Sequence, residues 1–70
     1  MIQINLEKLR KLRKEKRFSL LEISLALGYE SPNGYLYLEQ GRNQIKATQL
    51  MIIANKLGVD IRELYIECAA

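Results

Sequence analysis

The sequence predicts an all-α fold, a compact bundle of five short helices. Three observations carry that reading. Apolar residues recur at three- and four-residue spacings along the chain. Each such run is preceded by a helix-capping residue or followed by a glycine stop. No strand pattern, internal repeat, linker or low-complexity segment interrupts them.

The elements follow in order. Leu6, Leu9 and Leu12 line one side of a helix after Asn5, which serves as N-cap, so the first helix runs from about 6 to 16. Ser19-Leu20-Leu21-Glu22 is a capping box, in which serine and glutamate satisfy each other's free amides; the second helix continues to Leu27, with Gly28 as its C-cap. Ser31-Pro32 is a start signal, because proline in the first helical position loses no needed hydrogen bond. The third helix then covers about 32–39 and stops near Gly41, with Tyr35 and Leu38 inward. The fourth covers about 47–57, burying Leu50, Ile53, Ala54 and Leu57 and ending at Gly58. Asp60 to Glu63 repeats the capping pattern and opens a fifth helix, with Ile61, Leu64 and Tyr65 on one face.

Gly34 is out of place in this scheme. Inside a helix it costs about 0.5–1 kcal/mol relative to alanine. Either something approaches the backbone closely there, or a large neighbouring side chain needs the space.

Length and composition bound the function. Seventy residues make one domain that buries only about 60% of its unfolded surface, which leaves no room for a cleft between lobes. About half the residues are apolar (49%), enough for a folded core. The chain lacks the long apolar run of a membrane span, and its first residues lack the apolar centre of a secretory signal. A lone cysteine, Cys68, excludes an internal disulfide and fits a reducing, cytoplasmic setting. Basic residues crowd one end: Lys8, Arg10, Lys11, Arg13, Lys14, Lys16 and Arg17 are opposed there only by Glu15. From residue 47 onward, Lys56 and Arg62 face Asp60, Glu63 and Glu67. Such a distribution suits a polyanion at one end, or simply a solvated helix face.

Catalysis finds no support. The chain has no histidine to act as general base, and Cys68 has no histidine to activate it. The carboxylates are scattered, and four dispersed glycines form no phosphate loop. No metal site and no cofactor are expected.

In their order and spacing, these residues resemble the phage repressor and Cro-like helix-turn-helix family, the XRE group. The second and third helices, ending in Glu39-Gln40-Gly41, resemble its helix-turn-helix. LMIIANKLGVDIREL is similar to its fourth and fifth helices, and LRKLRKEKRFSLLEI to its first helix and the start of its second. The resemblance covers about residues 6–66 and implies a single helix-turn-helix domain over 1–70. It implies a five-helix bundle with the third helix in the DNA major groove. Asn33 and Tyr37 then fall where side chains meet base edges, with Pro32 and Gly34 at the groove-facing start of that helix. Asparagine can pair bidentately with adenine, and tyrosine offers a hydroxyl and a ring for a thymine methyl. Phosphate contacts are expected from Arg10, Arg17, Gln40, Arg42, Asn43 and Lys46. Arg13 and Glu39 match a pair that ties the first helix to the end of the third, a structural ion pair.

Three positions depart from the family pattern. The segment from Gly28 to Gly41 is one residue longer than the commonest form, widening the turn around Tyr29-Glu30-Ser31 and leaving the base-facing register open by one place. Leu20 replaces a frequent phosphate-binding glutamine, and Leu36 a polar residue.

The expected function is a sequence-specific double-stranded DNA-binding transcriptional regulator acting as a homodimer on two half-sites. The dimer contact is expected on the fifth helix, through Ile61, Tyr65, Ile66 and Cys68. The rival is a protein-interaction module of antitoxin or antirepressor type. Leu21, Leu25, Ile52 and Ile66 suggest it, being apolar at positions the family usually leaves polar; a slightly enlarged core would also explain them.

Overall fold

A computed structural model describes residues 2–67. Four α-helices form the body: α1 (Leu6–Glu15), α2 (Leu20–Ala26), α3 (Asn33–Glu39) and α4 (Ala47–Leu57). Their starts follow the capping chemistry. Asn5 Oδ1 accepts from the Lys8 amide at 3.1 Å. Ser19 and Glu22 exchange side-chain-to-amide bonds at 3.0 Å each, and these bonds hold the Glu22 carboxyl below its usual pKa. At the start of α4 only half of a capping box forms. Gln49 Oε1 accepts from the Lys46 amide at 3.0 Å, whereas the Lys46 ammonium can accept nothing in return.

The C-terminal region departs from the expected all-α bundle. Ile61–Leu64 is a single 3₁₀ turn, capped by Asp60 Oδ1 on the Arg62 amide at 2.9 Å. The chain then becomes extended. Strand β2 (Tyr65–Glu67) pairs antiparallel with β1 (Ile2–Ile4), in the register Ile2↔Glu67, Gln3↔Ile66 and Ile4↔Tyr65. The physical reason lies in Tyr65-Ile66, an aromatic next to a β-branched residue, opposite the apolar-polar alternation of Ile2-Gln3-Ile4. Once Leu64 has filled the core, the backbone groups gain more from this ladder than from one further helical turn. The Asn5 amide donates to the Leu64 carbonyl at 2.7 Å and joins the two ends.

The core comprises Leu9, Ile23, Tyr35, Leu38, Leu50, Ile53, Ala54, Leu57 and Leu64. Ile61 packs against it, while Tyr65 turns outward at 39% exposed. Ile61 and Tyr65 therefore do not share the fifth-helix face expected of them, since Tyr65 and Ile66 belong to β2; Cys68 lies outside the described residues. Leu21, Leu25 and Ile52 do not enlarge the core: all three are exposed, Leu25 at 57%. Among the described residues, no helix is long and apolar enough to cross a membrane.

Candidate nucleic-acid interface

The site is built on α3, a helix too short to stand alone. Two buried polar interactions hold it. At its start, Pro32 occupies the N-cap position, one residue earlier than a helical proline, and contributes no side-chain cap. The cap comes from α2 instead. Ser24, fully buried, accepts from the Tyr35 amide at 2.9 Å and donates to the Pro32 carbonyl at 3.1 Å. One hydroxyl thus satisfies a free amide of α3 and fixes its angle to α2. At its end, Glu39 accepts two bonds from Arg13 of α1, Nε to Oε2 at 2.9 Å and Nη2 to Oε1 at 3.1 Å. The side chains are 12% and 3% exposed. A third bond, from Arg13 Nη1 to the Phe18 carbonyl at 3.2 Å, uses the remaining arm of the fork. The bond to Glu39 raises the arginine's pKa, so the guanidinium stays charged at any working pH. Tyr35 Oη lies beside this pair without reaching hydrogen-bond geometry; burial and the Glu39 charge push the phenol's pKa up.

Gly34 is explained by Tyr29. A Cβ at Gly34 would lie 2.3 Å from Tyr29 Cγ, 2.6 Å from Cδ2 and 2.7 Å from Cβ. The glycine therefore admits the root of a tyrosine ring, the large-neighbour explanation, and the neighbour is Tyr29. Gly28, at φ +91°, lets the chain leave α2 in the left-handed region and bring Tyr29 round. Tyr29 Oη accepts from Gln49 Nε2 at 2.9 Å. A continuous linkage thus runs from the start of α3, by packing of Gly34 on Tyr29, and then by hydrogen bonds through Gln49 to the Lys46 amide.

On this support the outward groups are distributed as follows. Asn33 is exposed in the first turn of α3, and Tyr37, half-buried, follows one helical turn later on the same side. The Arg42 guanidinium lies over the Tyr37 ring, 4.8 Å from its centroid, and the Arg42 amide donates to the Tyr37 carbonyl at 2.9 Å. The Asn43 amide reaches the same carbonyl at 3.4 Å. Arg10 and Gln40 line one groove of about 390 Å³ between α1 and the end of α3. Lys46 is exposed at the cap of α4. Arg17 stands apart in the α1–α2 turn, exposed and in the left-handed region at φ 61°. A non-glycine residue in that region is strained by roughly 1 kcal/mol.

Sequence reasoning did not single out Ser24, Tyr29 or Gln49. Ser24 left one signal: a small polar residue on the stripe shared by Leu20 and Leu27 is buried with them and needs a partner. Tyr29 left another, the unexplained Gly34 itself.

Comparison with known proteins adds one finding. A family model described as helix-turn-helix matches residues 9–64, most of the chain. No curated protein and no solved structure gives a significant match. With α2 and α3 joined by the Ser24 bonds and α3 tied to α1 through Glu39, the chain belongs to the XRE-type, phage repressor and Cro-like helix-turn-helix family.

Proposed function

We propose that this protein is a sequence-specific double-stranded DNA-binding transcriptional regulator, with α3 in the major groove. The observation that carries the reading is the outward side of α3. Asn33 is exposed one turn before Tyr37, and the Arg42 cation is laid on the Tyr37 ring. A donor–acceptor amide beside a ring held by a cation suits base edges bordered by phosphate. Arg10, Gln40, Asn43 and Lys46 supply the surrounding phosphate contacts, and Arg17 meets the backbone near the start of α2. Pro32 and Gly34 shape the start of the recognition helix. Gly34 does so by seating Tyr29.

Asn33→Ala tests the assignment against Lys46→Ala. The α4 cap uses only the backbone amide of Lys46, so removing its side chain leaves that cap intact. Asn33→Ala is expected to cost about 1–3 kcal/mol on the preferred duplex and to relax one base position, whereas Lys46→Ala weakens all duplexes alike. Equal losses on every duplex from both variants would remove Asn33 from the groove.

The target carries two half-sites about 34 Å apart, bound by a homodimer. Tyr65 and Ile66, exposed on β2, support a contact at that end of the chain, next to Ile61, which packs against the core. Light scattering is expected to show a dimer that Ile66→Glu dissociates; a dimer indifferent to this charge would move the contact elsewhere. The exposed Leu21, Leu25 and Ile52 favour a second reading, a protein-interaction module of antitoxin or antirepressor type.

A further inference from the structure

We propose that Tyr29 is a positioning residue for sequence discrimination: its hydroxyl, through Gln49, fixes the start of the recognition helix against the start of α4. The proposal rests on the DNA-binding reading above.

Three observations meet at this residue. Its ring root occupies the space that any side chain at position 34 would need, so Tyr29 is in contact with the backbone next to Asn33. Its hydroxyl accepts from Gln49 Nε2, in the first turn of α4. The other end of the Gln49 amide accepts from the Lys46 backbone. One continuous linkage therefore spans the two ends of the segment that contains α3 and the 40–46 loop. The base-facing Asn33 and Tyr37 lie within that span, as do Gln40, Arg42, Asn43 and Lys46 among the phosphate-facing groups.

The Tyr29 ring packs against the edge of the core, while its hydroxyl bond to Gln49 lies outside the fully buried set. Tyr29 and Gln49 are each half-buried, and neither belongs to the fully buried set. What the linkage constrains is the placement of α3 relative to the loop, and so whether Asn33 and the phosphate contacts engage one duplex in a common register. A misplacement of the helix start weakens readout of the correct bases but leaves the charge count unchanged. The wider turn thus acquires a role: the segment it adds supplies the side chain that sets the register.

Tyr29→Phe keeps the ring against Gly34 and removes only the hydroxyl. Affinity is measured on the duplex best enriched by the wild type and on an unrelated duplex at the same salt, together with thermal melts. The expected result is a discrimination ratio reduced about three- to tenfold, the equivalent of one hydrogen bond, with affinity for the unrelated duplex and the salt dependence unchanged. Gln49→Met breaks the linkage from the other end and also removes the α4 cap, so it is expected to give the same loss of discrimination with a lower melting temperature, and the double variant no greater loss of discrimination than either alone. A residue of merely structural importance would instead lower the melting temperature and weaken both duplexes together, and that result overturns the proposal. So does a Tyr29→Phe protein that discriminates like the wild type. A wild type that enriches no sequence refutes the DNA reading itself, and the proposal falls with it.

Discussion

Replacing Gly34 with alanine separates local propensity from packing more sharply than any other single change. On propensity alone the substitution stabilises a helix by up to about 1 kcal/mol. The structure predicts the opposite sign. The new methyl would sit 2.3–2.7 Å from Cβ, Cγ and Cδ2 of Tyr29, the root of the ring and not its mobile end. Relief requires the whole tyrosine to swing, which withdraws its hydroxyl from Gln49 Nε2. Overpacking of this kind costs about 1–3 kcal/mol, and the lost hydrogen bond adds roughly 1. After the propensity gain, the net loss is about 1–3 kcal/mol, or roughly 5–20 °C in melting temperature for a domain of this size. Far-ultraviolet circular dichroism melts of Gly34→Ala, Tyr29→Ala and the double variant test it. In the Tyr29→Ala background the alanine is expected to cost less than in the wild type, because the ring atoms at 2.3 and 2.6 Å are gone and only the Cβ at 2.7 Å remains to be relieved. A Gly34→Ala protein as stable as the wild type, or one equally destabilised with and without the Tyr29 ring, would refute the argument.

Three further changes probe the supports of α3. Ser24→Ala leaves the Tyr35 amide and the Pro32 carbonyl without their shared partner in a buried site and is expected to cost about 1–3 kcal/mol in denaturant melts; Ser24→Thr, which keeps the hydroxyl, tells whether space or hydrogen bonding dominates. Arg13→Met leaves the Glu39 carboxylate buried and unpaired, a loss of about 3–5 kcal/mol, while Arg13→Met with Glu39→Leu recovers part of it; strictly additive losses would contradict the coupling. Arg17→Gly relieves a left-handed residue and is expected to raise the melting temperature while weakening binding to every duplex, so a stabilised variant with undiminished affinity would show that Arg17 touches no phosphate.

Much of this was legible in the sequence, because four of the five expected helices are specified by short-range chemistry. Asn5, the Ser19–Glu22 box and Gly58 act within one turn of their own residues. The inward stripe of Leu50, Ile53, Ala54 and Leu57 repeats at the helical period. The fifth helix failed because its fate is decided at long range. Tyr65-Ile66 becomes a strand only when Gln3 and Ile4 lie alongside, and sequence neighbours do not reveal a pairing across the whole chain. The site divides in the same way. Helical spacing places Tyr35 and Leu38 inward, as the structure has them, and family resemblance alone pairs Arg13 with Glu39 and sets Asn33 and Tyr37 toward base edges. The role of Gly34 could not be read, since its partner acts through a turn of unusual length. Ser24 announces only that it needs a partner. Its partners belong to another helix, so nothing in α2 announces them.

The central claim is that α3 reads a duplex. Selection from random double-stranded DNA, followed by affinity measurements on the best duplex across a range of salt, tests it most directly. Each phosphate neutralised by a basic side chain adds about −0.9 to the slope of log affinity against log salt. With Arg10, Arg17, Arg42 and Lys46 engaged, the slope is expected to be roughly −3 to −4 per subunit and about twice that for a dimer on two half-sites. Enrichment of one motif with such a slope is the predicted result. No enriched motif, or an affinity that hardly responds to salt, would contradict the account.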